Sequence, residues 1–302
     1  MIPLADLLST VINSFLVGSL YALLGLGLTL SINATKMYNW AYAELVTIGA
    51  YAAAVLTTYQ HLNIISSLIV AIVLSACAAL AMDEIVFKPL VKRRSGTIQL
   101  MLGSIAAGIF IRYGIFIYAA SAFLLTLKAN VVVLTIATIA GAQLTSLLLW
   151  ILPTTLGVVI LLRLLLSKTI FGKQIRAMSD NPALARSSAI DVVMMRRYVW
   201  LIVGGIAGLV GSFWAMYSFI TPEIGWILLL AAFAAAIVGG LTYFGTVLAG
   251  YLLGFAENLG AYLLNQAFGV PTEYKLLITF SIMIFVLIVR PSGISSGMFR
   301  EV

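Results

Sequence analysis

One cysteine, Cys77, and one histidine, His61, are all that 302 residues contain of two common metal-binding side chains. A lone cysteine closes no intrachain disulfide, and a lone histidine supports neither a zinc-ligand cluster nor a Cys-His or Ser-His-Asp constellation. No metal, cofactor or catalytic residue is therefore expected. Charge is scarce too, at 9% of residues, against about one quarter in an ordinary soluble domain. That excludes a water-soluble globular enzyme. No Gly-x-x-x-x-Gly-Lys-Ser/Thr loop is present, so nucleotide is not hydrolysed by that route and any ATP energy must arrive through a partner. The N-terminus has no positive n-region, and the apolar stretch behind it is too long for a signal h-region. The first helix is expected to stay in the mature protein.

What the chain does have is apolar surface: 63% of residues are hydrophobic and the mean hydropathy is +1.13. A membrane span takes roughly 20 apolar residues. Apolar segments run over 7–31, 40–59, 64–87, 97–120, 146–166, 198–220, 226–240, 244–264 and 274–290. All nine read as helices, because a backbone facing lipid must satisfy its own hydrogen bonds. The fold class is all-α: a polytopic membrane protein with about eight or nine transmembrane or re-entrant helices, forming one membrane domain over 1–302. Segments 40–59 and 226–240 also admit a broken or re-entrant reading. The first opens on polar residues, and the second is short and ends in Gly239-Gly240.

The excess of 17 Lys and Arg over 10 Asp and Glu lies between apolar segments, where it reads as topology and not as a nucleic-acid surface. Lys36, Lys88, Lys92, Arg93, Arg94, Arg163, Lys168, Lys173, Arg176, Arg186, Arg196, Arg197, Arg290 and Arg300 fall on one side. Lys128 and Lys275 fall on the other, and Arg112 is within a segment. By the positive-inside rule the rich side is cytoplasmic. That places the C-terminus inside and, with nine crossings, the N-terminus outside. In the outer stretch 121–145 the β-branched run 131–139, broken by Gly141, favours a short external β-hairpin near 131–145. A tenth helix is the competing reading.

The loop at 167–197 is the most informative soluble stretch. Gly172 is expected to break the preceding element. Asp180, Asn181 and Pro182 spell a helix start, with a polar N-cap and proline at the first helical position. A short helix over about 182–189 should follow, ending near Asp191. Two short helices at the membrane face could serve as a rigid handle for a cytoplasmic partner, and a solvated loop that merely fixes topology is the alternative. Within the segments, Glu44 should face the protein interior, a water-filled cavity or the interface, since a lipid-facing carboxylate costs a few kcal/mol. Its alternative role is to sit against a helix dipole. Arg112 is expected to snorkel outward, with pairing to Glu44 or Glu257 as the other reading. Gly204-x-x-x-Gly208 and Gly250-x-x-x-Gly254 allow close helix packing. Gly239-Gly240 and Gly245 frame a bend. Cys77 reads as core filling and His61 as a surface-loop residue.

Taken together, these stretches resemble the permease subunits of branched-chain amino acid ABC transporters, the Liv type, over nearly the whole chain. Gly18 to Leu23, with Gly25, Gly27, Leu28 and Thr29, is similar to the family's opening Gly-Ser/Thr-x-Tyr-Ala-Leu helix. Asn39, Ala41, Glu44, Gly49 and Tyr51 match its Asn-Phe-Ala-His-Gly-Glu…Gly-Ala-Tyr, with Trp40 for Phe and Tyr42-Ala43 for His-Gly. Lys88-Pro89-Leu90 resembles Arg-Pro-Leu after the third span. Gly172, Arg176, Ala177, Asn181 and Ala183 look like its cytoplasmic loop. Ile190-Asp191 matches the loop's Gly-Ile-Asp end, although Ala189 stands where glycine is usual. Gly239-Gly240, Gly245, Gly250, Gly254 and Glu257 follow its late helices without the usual Gly-Ser after the glycine pair, and Arg290 to Ile294 its closing Arg-Pro-x-Gly-Leu/Ile.

The resemblance implies an ABC importer of the cell membrane with a second permease subunit, two cytoplasmic ATP-binding subunits and an extracytoplasmic substrate-binding protein. Under it, Tyr21, Asn39, Trp40, Glu44, Gly240 and Glu257 are substrate-pathway candidates. Gly172, Arg176, Asp180, Asn181, Pro182 and Asp191 are ATPase-coupling candidates. The implied cargo is a branched-chain or other hydrophobic amino acid, with urea, a short amide or a sugar as alternatives within the superfamily. A stand-alone secondary transporter is the reading from another class.

Overall fold

A computed structural model describes residues 4–93, 95–290 and 293–294. Arg94, Arg300 and the Pro291-Ser292 pair of the closing motif lie outside the described residues. The helices are α1 (Leu4–Thr35), α2 (Tyr42–Thr58), α3 (Ile64–Met82), α4 (Lys88–Lys92), α5 (Thr97–Ser121), α6 (Ser146–Lys168), α7 (Ile170–Asp180), α8 (Pro182–Ser187), α9 (Val192–Tyr217), α10 (Ile224–Val238), α11 (Tyr243–Phe268) and α12 (Lys275–Val289). A π-helical turn, Asp83–Phe87, joins α3 to α4, and a 3₁₀ turn, Thr272–Tyr274, leads into α12.

Among the described residues seven helices are long and apolar enough to cross a membrane, and α2 and α10 are shorter apolar helices. The nine apolar segments are thus all helical. The stretch 131–145 forms the hairpin and not a tenth helix: β1 (Thr135–Ile139) pairs antiparallel with β2 (Ala142–Thr145). Ala140 and Gly141 at its tip have φ of 49° and 87°, and positive φ at both central residues suits a tight hairpin turn between right-twisting strands.

Two expectations need correction. The sixth span begins at Val192 and not near 198, because Asp191 caps it, accepting from the Val193 and Met194 N–H groups at 3.0 Å each. Arg196 and Arg197 therefore lie within α9 and not in the loop. Cys77 is exposed on α3 and fills no core, since α3 buries its Ser67, Ala71, Ser75 and Ala79 face instead. His61 lies exposed in a loop, as expected.

The chain resolves into two compact units, one of residues 1–26, 132–159 and 230–302, the other of 27–131 and 160–229. In the second unit α2, α3 and α9 pack mutually. Small residues set the spacing: a Cβ on Gly49 would lie 2.5 Å from the Gly208 Cα, and one on Gly208 would lie 2.8 Å from the Ala71 carbonyl oxygen. Close backbone approach of this kind is how membrane helices gain packing without a hydrophobic driving force. Ser75 adds a hydrogen bond to the Leu45 carbonyl at 2.7 Å. In the first unit α11 lies against α1 in the same manner, with Gly254 on Gly18 and Gly250 on Ala22. There Phe15 and Phe255 meet edge to face at 4.8 Å.

Candidate functional site

In the second unit, α2 starts at Tyr42 with no side-chain cap, leaving the helix's positive end to its own first turn, where Glu44 sits. The Glu44 side chain is 1% exposed. From α5, Arg112 donates to its Oε1 through Nε at 2.9 Å and Nη2 at 2.5 Å. The arginine thus pairs inward; a buried carboxylate left alone would cost several kcal/mol, more than the snorkelling position offers. Thr47 Oγ1 accepts from the Gly225 N–H at 3.2 Å, tying α10 to α2. The Arg112 guanidinium carbon lies 4.6 Å from the Trp226 ring centroid, and Trp226 lies 5.6 Å from the Trp40 ring. Charge and indole are therefore layered, a cation–π arrangement that strengthens where water is excluded. Trp40 donates its backbone N–H to Ser104 Oγ at 3.2 Å. Buried Asn39 donates to Ser31 Oγ at 3.3 Å, while its Oδ1 meets no hydrogen-bond partner among the described residues. Trp40, Trp226, Arg112 and Glu44 thus form one run of contacts, while Asn39 is bonded aside to Ser31.

In the first unit, Tyr21 and Glu257 meet directly. The Tyr21 hydroxyl donates to the carboxylate at 3.1 and 3.0 Å, and Thr279 Oγ1 donates to it at 2.7 Å. Lys275 Nζ lies 3.6 Å away. Glu257 is fully buried, so these donors stand in for water. Gly240 is apart from that cluster. It ends α10 in a left-handed conformation, φ 71°, with its backbone against Gly293. The Leu241 N–H reaches back to the Ala236 carbonyl at 2.9 Å, a helix-ending bond pattern that needs such a residue.

The cytoplasm-predicted loop folds into α7 and α8. Gly172 does not break the preceding element. Thr169 does so, accepting from the Gly172 N–H at 3.2 Å as the cap of α7. Gly172 is buried in the first turn, where a Cβ would run into the Leu166 backbone. Arg176 donates to the Leu166 carbonyl at 2.5 Å, satisfying a carbonyl left open at the end of α6. Ser179 donates to the Asn33 carbonyl of α1. Asn181 ends α7 and caps α8, accepting from Ala183 and Leu184 N–H at 3.1 Å each, with Pro182 in the first turn. Asp180 is exposed. Asp191 caps α9 and does not end α8, which stops at Ser187. Phe171 meets Tyr198 of α9 edge to face at 5.7 Å, and Leu184 is left 64% exposed on α8.

A further cluster had no place in the sequence reading. Asp83 accepts from Arg196 Nε at 2.8 and 3.1 Å and from Nη2. Glu84 accepts from Arg197 Nε at 2.5 Å and from Lys88. Beside them Phe87 stacks on Trp200 at 5.1 Å. The legible signal was an acidic pair closing one apolar segment and a basic pair opening a later one.

The description "Branched-chain amino acid transport system / permease component" matches residues 10–287. The chain is 33% identical over 292 residues to a probable branched-chain amino acid transport permease protein LivH of Methanocaldococcus jannaschii, covering 94% of this chain and 90% of the relative. It is 26% identical over 299 residues to the high-affinity branched-chain amino acid transport system permease protein BraD of Pseudomonas aeruginosa, covering 95% of each. A shorter likeness, 35% over 113 residues, joins it to the autoinducer 2 import system permease protein LsrC of Salmonella choleraesuis, covering 37% of this chain and 31% of that one.

Proposed function

Because this chain belongs to the family of branched-chain amino acid transport system permease components, we propose that it is one permease of an ATP-driven importer that carries branched-chain or other hydrophobic amino acids inward. In this reading it pairs with a second permease, two cytoplasmic ATP-binding subunits energise it, and an extracytoplasmic binding protein delivers the cargo. Hydrolysis belongs to those ATP-binding subunits. The C-terminus is cytoplasmic, as the distribution of Lys and Arg favours.

The observation that carries the coupling role is the segment 169–191. Its two short helices are capped at each joint and held to α1, α6 and α9, while the apolar side chain of Leu184 stands out from α8. A rigid, anchored element presenting an apolar contact can pass rigid-body motion from a moving partner to the helices behind it. Gly172 and Arg176 serve the anchoring, Asn181, Pro182 and Asp191 the shape, and Asp180 faces the partner. Pathway residues are the two polar clusters, Asn39, Trp40 and Glu44 in one unit and Tyr21 and Glu257 in the other, with Gly240 setting the turn that ends α10.

Deleting 180–191, or substituting Leu184→Asp, should abolish co-purification with the ATP-binding subunits and leave membrane insertion intact. Normal co-purification of both variants would refute the docking role. ATP-independent uptake by the reconstituted chain alone would instead make it a secondary transporter. The likeness over 113 residues to an autoinducer 2 import permease supports a second cargo reading, autoinducer 2. Competition of leucine uptake by autoinducer 2 separates the two.

A further inference from the structure

The first unit carries a cleft of about 360 Å³ whose wall includes Asn13 of α1, Asn258 and Tyr262 of α11, and Glu273 and Lys275 around the start of α12. This lies at the small end of the range for small-molecule sites. Its lining is unlike the apolar surface of the neighbouring helices, for it combines one cation, one anion and two side-chain amides. Glu273 forms no ion pair among the described residues. The Lys275 ammonium has three donors, and the one ion pair it makes among the described residues, to Glu257, is 3.6 Å long. Glu257 is meanwhile held by Tyr21 and Thr279, so Lys275 can turn to a second carboxylate without stranding the first. The Tyr262 hydroxyl is buried and meets no hydrogen-bond partner among the described residues, a state that is costly unless something in the cleft completes it.

We propose that this cleft is a holding site for a free α-amino acid, with Lys275 taking the carboxylate, Glu273 the ammonium and Tyr262 supplying a further hydrogen bond. The ligand class follows from the two opposite charges, which sit two residues apart on one turn: a zwitterion offers each a partner inside the cleft, whereas a neutral solute offers neither a counter-charge and leaves Glu273 without one. The proposal rests on the importer reading for its role. Lys275 belongs to the side assigned to the exterior, so the cleft would receive cargo as the binding protein releases it.

The test uses the complete importer in nanodiscs, without binding protein or ATP, and tritiated L-leucine as probe. Lys275→Met and Glu273→Gln should each weaken leucine binding at least tenfold, and Tyr262→Phe, which removes only one oxygen, about threefold. Lys275→Arg should restore binding. 4-Methylpentanoate and isoamylamine, each lacking one of the two charges, should fail to compete. Unchanged binding in both charge variants, equal competition by either analogue, or no leucine binding to the unmodified complex would each overturn the site. ATP-driven leucine uptake by the same complex with its binding protein decides the cargo reading separately: uptake without cleft binding defeats this proposal alone, and absence of uptake defeats both.

Discussion

Arg112 and Glu44 form an ion pair across α5 and α2, with both guanidinium hydrogen bonds converging on one carboxylate oxygen. The carboxylate is almost wholly enclosed, and the arginine rests on the Trp226 ring.

Removing one member of this pair should hurt far more than removing both. Arg112→Met strands a buried charge and should cost about 3–5 kcal/mol, whereas replacing a buried pair with uncharged groups is often close to neutral. The double variant Glu44→Gln/Arg112→Met should therefore recover most of the loss. A thermal-unfolding double-mutant cycle on the purified complex checks this, and additive losses would contradict it.

The two neighbouring pairs at the π-helical turn should respond unequally. Asp83 is 3% exposed while Glu84 is 30% exposed. Arg196→Met should thus lower stability by about 3–5 kcal/mol, and Arg197→Met by far less, as for other solvated pairs. Unfolding midpoints of the two variants, measured side by side in one detergent, give the comparison.

Ala189 ends α8 at φ 60°, with the Ile190 N–H bonded back to the Ala185 carbonyl at 3.1 Å. A left-handed alanine carries a Cβ penalty of roughly 1 kcal/mol that glycine avoids. Ala189→Gly should raise the unfolding temperature slightly and leave uptake unchanged. A lowered midpoint would show that the restriction alanine places on the unfolded chain outweighs the strain.

How far the sequence reaches can be judged from these residues. Apolar length located the nine apolar helices of the described residues, since lipid imposes one pattern on every span, and the cap at Asn181 and the hairpin tip at Gly141 were legible because such chemistry is local. The start of α9 was not, because Arg196 and Arg197 look like loop residues until Asp83 and Glu84, 113 positions earlier, are known to face them. Arg112 was misjudged for a related reason: snorkelling is the right outcome for an isolated arginine, and only the fold supplies the partner. Thr279 and Trp226 gave no signal at all, being ordinary residues made special by position. Gly172 carried a real signal with the wrong cause, since it is needed for closeness to Leu166 and not for stopping a helix.

At the crossing of Gly49 and Gly208 no side chain stands between α2 and α9. Without a compressible cushion there, the two rods have no room to slip or to change their spacing by small degrees. A push arriving from 169–191 should then swing α2, α3 and α9 together as a single lever, with bending left to the looser joints at either end.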